Sequence, residues 1–263
     1  MNISEKNTNI IVKSKNTLCY QNELNAELKF PEKFTAKDFN LFFITLFYIQ
    51  KKFKSKTKKL KLNFEDFTQY LKDGAYKNKN RFYKEICSFF NKAQYICSSI
   101  QNTDKNSKDI DINTFFTKIF ISNEKKEIEL EISSVAYDYL FFFKQFTKID
   151  LYEFCSIDKI GAKGIYRILL EFKNLANFDK KSSMKCIFFT KEEFMVRLNC
   201  YNETYKNSLG AFDKLIIKPA IKELEKGYFK KIVCNKIKNN PYDKKQITGF
   251  QLLYDDSNRN QVK

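Results

Sequence analysis

The chain has 263 residues, 43% of them apolar, which is enough to build a full core in one large domain or two modest ones. Its 48 Lys and Arg against 31 Asp and Glu leave a net charge of +17. That balance favours a polyanionic partner, nucleic acid or an anionic membrane face, although the Lys-rich, Arg-poor composition of an AT-rich gene supplies the same excess. Histidine is absent altogether, which excludes His-based triads, His–metal nucleases and histidine-pair nicking endonucleases.

Residues 1–30 are polar and weakly patterned, with one extended piece at 9–12 and no signal-peptide core. Phe34-Thr35-Ala36-Lys37-Asp38-Phe39 reads as a capping box with Phe34 and Phe39 as its staple, and predicts a helix over 35–51. The run 51–61 carries seven Lys and no acid, and reads as a solvated loop or a phosphate-binding stretch. The same device of apolar residue, cap, acid and Phe returns at Leu62-Asn63-Phe64-Glu65-Asp66-Phe67, opening a short helix that closes near Leu71. Tyr76-Lys77-Asn78 then precedes a helix through Phe82 and Ile86. Strands at 114–121 and 126–132 form a hairpin whose second strand alternates Ile128, Leu130, Ile132 against Glu127, Glu129, Glu131. A helix is predicted over 135–146, and an amphipathic one over 165–176 through Ile165, Ile168, Leu169 and Phe172. The capping device appears a third time at Phe189-Thr190-Lys191-Glu192-Glu193-Phe194, with a short helix closing near Leu198. Tyr205-Lys206-Asn207 and a helix over 208–225 follow. The chain then forms a hairpin of 229–238 and 247–254 around a basic loop at 239–245, with Phe250, Leu252 and Tyr254 on one face.

The order helix, short helix, turn, longer helix, hairpin occurs twice, and the matching caps and Tyr-Lys-Asn turns make the halves a degenerate duplication. The expected fold is therefore α+β, mainly helical, with two tandem winged-helix domains related by internal pseudo-duplication. Their boundaries are an N-terminal segment 1–30, a first domain 31–132, a second domain 133–255 and a tail 256–263. The seven cysteines contain no C-x-x-C pair and read as reduced, mostly buried thiols of a cytoplasmic protein. No metal and no cofactor are expected, nor a membrane span, since the longest apolar run, 41–49, is half the length of one.

A recognition helix needs an apolar face for its own core and a polar face for the groove. In 208–225 the inward set is Phe212, Leu215, Ile216, Ala220 and Leu224, and Lys214, Lys218 and Lys222 recur on the other side. Lys206, Asn207 and Ser208 stand at its N-terminal end, where Asn can read adenine and Lys can reach guanine or phosphate. Lys236, Lys238, Lys244 and Lys245 of the wing extend the basic surface. The first domain offers Lys77, Lys79, Arg81 and Lys84, but its Glu127, Glu129 and Glu131 face would repel DNA and suits protein–protein contact. Pro219 is a local conflict: inside a helix it removes the bond to the Leu215 carbonyl, so the helix kinks there or a second one starts.

These residues resemble a known family. Phe212-Asp213-Lys214-Leu215-Ile216-Ile217-Lys218-Pro219-Ala220-Ile221-Lys222-Glu223-Leu224 is similar to the recognition-helix signature of the iteron-binding plasmid replication initiators, the Rep_3 or RepB/RepE-like proteins, which carry a proline inside this helix. Phe146-Thr147-Lys148-Ile149 and Gly164-Ile165-Tyr166-Arg167-Ile168-Leu169-Leu170 resemble the segment that opens the family's second winged helix, and Asn16-Thr17-Leu18 is a weaker echo of its N-terminal motif. The chain departs at Lys163-Gly164, where the family usually has Arg. The resemblance implies a non-enzymatic initiator whose monomers bind direct repeats in double-stranded origin DNA, help open the adjacent AT-rich DNA, and recruit the host initiator and helicase. It further implies a homodimer, in equilibrium with monomer and joined through the first winged helix, that represses its own gene. By the same resemblance Lys163 and Arg167 join the candidate DNA contacts.

Three other readings compete: a tandem winged-helix transcriptional repressor without replication activity, a partner-binding winged helix that does not touch DNA, and a nuclease using Glu129 and Glu131 to hold a metal. The last rests on an alternation that any half-exposed strand shows.

Overall fold

The computed structural model describes residues 16–52, 59–71, 78–101, 110–142, 144–179, 184–238 and 247–257. The chain divides into two compact units, residues 1–156 and 157–263. Helix outweighs strand among the described residues, but twelve strands make the fold a mixture of helix and sheet.

In the first unit the order is β1 (Thr17–Gln21), α1 (Glu23–Glu27), β2 (Leu28–Lys29), α2 (Ala36–Lys52), β3 (Lys59–Asn63), a 3-10 turn (Phe64–Tyr70) and α3 (Lys79–Ala93). Then come β4 (Cys97–Gln101), β5 (Ile110–Thr114), β6 (Phe116–Ser122), β7 (Glu127–Ile132), α4 (Ser134–Phe141), β8 (Phe146–Asp150) and α5 (Leu151–Ser156). The predicted box closes α2: the Thr35 and Asp38 side chains exchange bonds with each other's backbone N–H at 3.2 and 2.7 Å, and the Phe34 and Phe39 rings meet edge-on at 5.1 Å. Every residue from Asp38 to Ile49 is buried, so α2 is a central helix, apolar nearly all round, with Phe42 against Phe115 and Phe43 against Phe154.

Three sequence expectations fail here. The predicted helix over 135–146 stops at Phe141, and Phe146–Asp150 is instead a strand paired antiparallel with β1. Buried Thr147 donates to Asn22 at 2.8 Å, fastening that strand to the loop after β1. Residues 17–29 and 133–156 therefore pack with the first unit, whereas the sequence reading set 1–30 apart and began the second domain at 133. The third failure is the Lys run, whose end is the ordered strand β3. It pairs with β7 so that Lys59 meets Glu131 at 3.3 Å and Lys61 meets Glu129 at 2.8 Å. Lys61 holds the Glu129 carboxyl below its ordinary range, and the face read as repulsive to DNA is neutralised from within.

The second unit runs α6 (Ile160–Glu171), β9 (Asn177–Phe178), β10 (Lys185–Thr190), α7 (Lys191–Arg197), α8 (Glu203–Asn207), α9 (Leu209–Phe212), a π turn (Asp213–Ile217), α10 (Lys218–Leu224), β11 (Lys231–Lys238) and β12 (Ile247–Asp255). The helix predicted over 165–176 begins and ends five residues earlier. Its sheet has the order β11-β12-β10-β9, with Phe250, Leu252 and Tyr254 fully buried as anticipated. Phe250 lies 4.9 Å from Phe194 and 5.8 Å from Phe212, so α7, α9 and the hairpin share one aromatic core.

Candidate nucleic-acid interface

The second unit presents a helix–turn–helix followed by a hairpin, with each helix start fixed by a side-chain cap. Thr190 accepts from the Glu193 N–H at 3.1 Å, Asn202 from that of Tyr205 at 3.0 Å, and Ser208 from that of Ala211 at 3.3 Å. Ser208 is therefore engaged at the helix start, and Lys206 and Asn207 belong to the preceding short helix.

The conflict at Pro219 is resolved by a change of helix type. Proline has no N–H, and its ring crowds the carbonyl four residues back. Here the ladder widens before it: the Lys218 N–H bonds to the Asp213 carbonyl, five residues away, and Pro219 then sits in the first turn of α10. The extra residue shifts the phase. Ile217, 1% exposed, takes the inward place expected for Leu215, Ile216 is half-buried towards Gly161 of α6, and Leu215 is turned out to 58% exposure. Leaving a leucine outside forgoes about 2 kcal/mol of burial.

On the solvent side Lys214, Lys218 and Lys222 are all exposed, as the spacing predicted. Asp213 stands between Lys218, at 3.5 Å, and Lys236 of β11, at 3.3 Å, and thereby ties the helix to the first wing strand. Lys236 pairs across the sheet with buried Phe250, so it continues the sheet face that packs on the helices, and Lys238 is exposed beyond a β-bulge. Lys206 is half-buried, lies 4.0 Å over the Tyr201 ring and is bonded to Glu203 at 2.9 Å, which raises its pKa; Asn207 is exposed. Lys77, Lys244 and Lys245, with the wing loop, lie outside the described residues.

The acids at the end of this helix are structural. Glu223 accepts from the Asp158 and Lys159 N–H groups at 2.5 and 3.1 Å, holding the start of α6, and Glu225 accepts from the Ile232 N–H at 2.8 Å, starting β11. Beneath the helix, α6 approaches closely. A Cβ at Gly161 would lie 2.8 Å from Ile216 Cγ2, and one at Gly164 would lie 2.6 Å from Leu198 Cδ2.

Lys163 and Arg167 are corrected by their burial, at 1% and 2% exposure. They lie on α6 inside the unit, and Arg167 donates to the Arg197 carbonyl at 3.0 Å. Arg197 in turn holds Glu171 at 2.8 Å, both nearly buried, and reaches Glu193 at 3.2 Å. This network braces α6 against α7 and offers no charge to a ligand. A Lys or Arg inside an apolar periodic run signals such a brace, because a helix buried all round has no solvent face on which to place it.

In the first unit α3 is capped by Asn78, which accepts from the Arg81 N–H at 3.0 Å. It buries Phe82, Ile86, Phe89 and Phe90 and exposes Lys79, Arg81 and Lys84, with Arg81 held by Glu85 at 3.1 Å. Sequence reasoning missed the roles of Asp213 and Leu215; the acid within a basic run and the nearby proline were the available signals.

The family model described as "Initiator Replication protein, WH1" matches residues 17–170. No match was found among curated proteins. Among solved structures, the crystal structure of the Pi initiator protein in complex with iteron DNA matches with a TM-score of 0.63 at 15% identity, covering 94% of this chain and 100% of that one.

Proposed function

The chain belongs to the initiator replication protein family, and from that premise we propose that it starts plasmid replication by binding direct repeats, iterons, in double-stranded origin DNA. The observation that carries the reading is the helix face of Lys214, Lys218 and Lys222 beside the Lys236 strand, two basic elements placed to flank one groove. The Pi initiator, of similar fold, was solved with iteron DNA, which supports the same partner here. In this reading the second unit is the principal reader, and Lys79, Arg81 and Lys84 of the first add backbone contacts. The two units are tandem winged helices of duplicated origin. The protein is cytoplasmic and does no catalysis: it opens the origin, recruits the host initiator and helicase, and as a dimer represses its own gene. The dimer no longer draws support from an acidic hairpin, since Lys59 and Lys61 answer those carboxylates.

A nuclease footprint on the DNA flanking the gene tests this. Protection of an array of direct repeats, spaced by about two helical turns, is expected. Protection of a lone palindrome would make the protein a repressor, and no protection above random duplex would remove DNA reading altogether.

A further inference from the structure

We infer that Leu215 reads thymine through its C5-methyl group. This rests on the reading that the Leu209–Leu224 helix enters the major groove of the origin repeats. The phase change at the π turn is the starting observation. An uninterrupted α-helix through Phe212 would carry Leu215 into the core, yet the structure buries Ile217 in that place and holds Leu215 at 58% exposure. Lys214 and Lys218, which flank it along the chain, are exposed, and towards the start of the helix Gly210 is open, an added Cβ there meeting nothing within 4 Å. The surface around Leu215 is thus low on its N-terminal side and cationic on its flanks. Lysines set a helix against phosphates and guanines, whereas an aliphatic side chain at the groove floor has one apolar partner, the methyl group that marks thymine. An isolated exposed leucine needs no explanation on an ordinary surface. This one lies between two exposed lysines, Lys214 and Lys218, on the helix proposed to enter the groove, and it sits within the π turn.

The test compares one fragment of gene-flanking DNA, amplified with either thymidine or deoxyuridine, against wild type, Leu215→Ala and Lys222→Ala, with affinities measured by gel shift. Wild type is expected to bind the deoxyuridine fragment about fourfold more weakly for each methyl group contacted. Leu215→Ala should bind the thymine fragment about tenfold more weakly and lose the distinction, while Lys222→Ala weakens both fragments alike and keeps it. Leu215 is exposed, and circular dichroism with a urea midpoint verifies the fold of Leu215→Ala. A wild type indifferent to the methyl groups, or a Leu215→Ala variant that discriminates as well as wild type, overturns the inference while leaving origin binding intact. A wild type that does not prefer the gene-flanking fragment to unrelated duplex overturns the functional reading, and the inference with it.

Discussion

Alanine at Gly161 and alanine at Gly210 are the same chemical change on two touching helical segments, with opposite expected outcomes. Gly→Ala in a helix gains up to about 1 kcal/mol from backbone propensity alone. At Gly210 the new methyl meets nothing within 4 Å, so that gain should appear nearly whole, as a higher urea midpoint. At Gly161 the methyl would lie 2.8 Å from Ile216 Cγ2 and 3.2 Å from the Ile216 carbonyl oxygen. The side chain can swing, but the carbonyl belongs to the π turn and must move by a few tenths of an ångström. Overpacking of this kind costs about 1–3 kcal/mol, so the net change is a loss of about 1 kcal/mol. Urea unfolding followed by far-UV circular dichroism reads both variants. On the proposed function, DNA affinity should fall at Gly161, because the helix is displaced. A Gly161→Ala protein as stable as Gly210→Ala would refute the close approach of α6 to the recognition helix.

Binding to duplex should be strongly salt-dependent, with a slope of log K on log salt near −5 if about six phosphates are neutralised, and a flat response would remove the electrostatic footprint. Lys214→Glu combined with Lys218→Glu should abolish that binding; retention in a gel shift would move the principal reader elsewhere. Glu171→Ala leaves the buried Arg197 guanidinium without its closest carboxylate and should cost about 3 kcal/mol in urea unfolding. A loss within ordinary surface-mutation scatter would mean that Glu193 or water suffices. Burial pushes the Cys200 and Cys234 thiols up from 9.0 to about 12, so in native protein they should react slowly with a thiol reagent at pH 8 and quickly in urea. The stabilisation from burying these neutral thiols is complete below pH 9 and is lost as pH rises towards 12.

The elements with local chemical signatures were legible in the sequence. Thr35 and Thr190 each cap what they were expected to cap, Asp66 accepts from the Asn63 N–H at the start of the 3-10 turn, and the alternation of Phe250, Leu252 and Tyr254 identified the buried face of β12. What failed depended on partners far along the chain. The helix read over 135–146 runs on past its true end because the residues after Phe141 are aromatic too, and Phe146–Asp150 forms a strand only because β1, well over a hundred positions earlier, supplies a ladder. Lys59 and Lys61 look like a solvated run until β7 places a glutamate opposite each. At the interface, the spacing of Lys214, Lys218 and Lys222 was enough to set them on one exposed side, but the outward turn of Leu215 needed the one-residue phase change that periodicity alone cannot register. Lys163 and Arg167 failed for the complementary reason, since a motif marks a position without saying which way it faces.

The turn at Asp213–Ile217 holds one residue more than a turn of α-helix. A single inserted codon, absorbed locally by a helix, leaves a turn of this kind. Downstream, Ala220 and Leu224 keep facing the core and Glu223 keeps its grip on the start of α6, so the change stays within the turn itself. A relative lacking that residue should align through both flanks with a one-residue gap between positions 212 and 218. A lineage gaining or losing that codon would exchange the side chains on the outside of this helix, the face proposed to meet DNA, while its fold stays as it was. Diverging repeat sequences could then be followed in single steps, without passing through a protein that cannot fold.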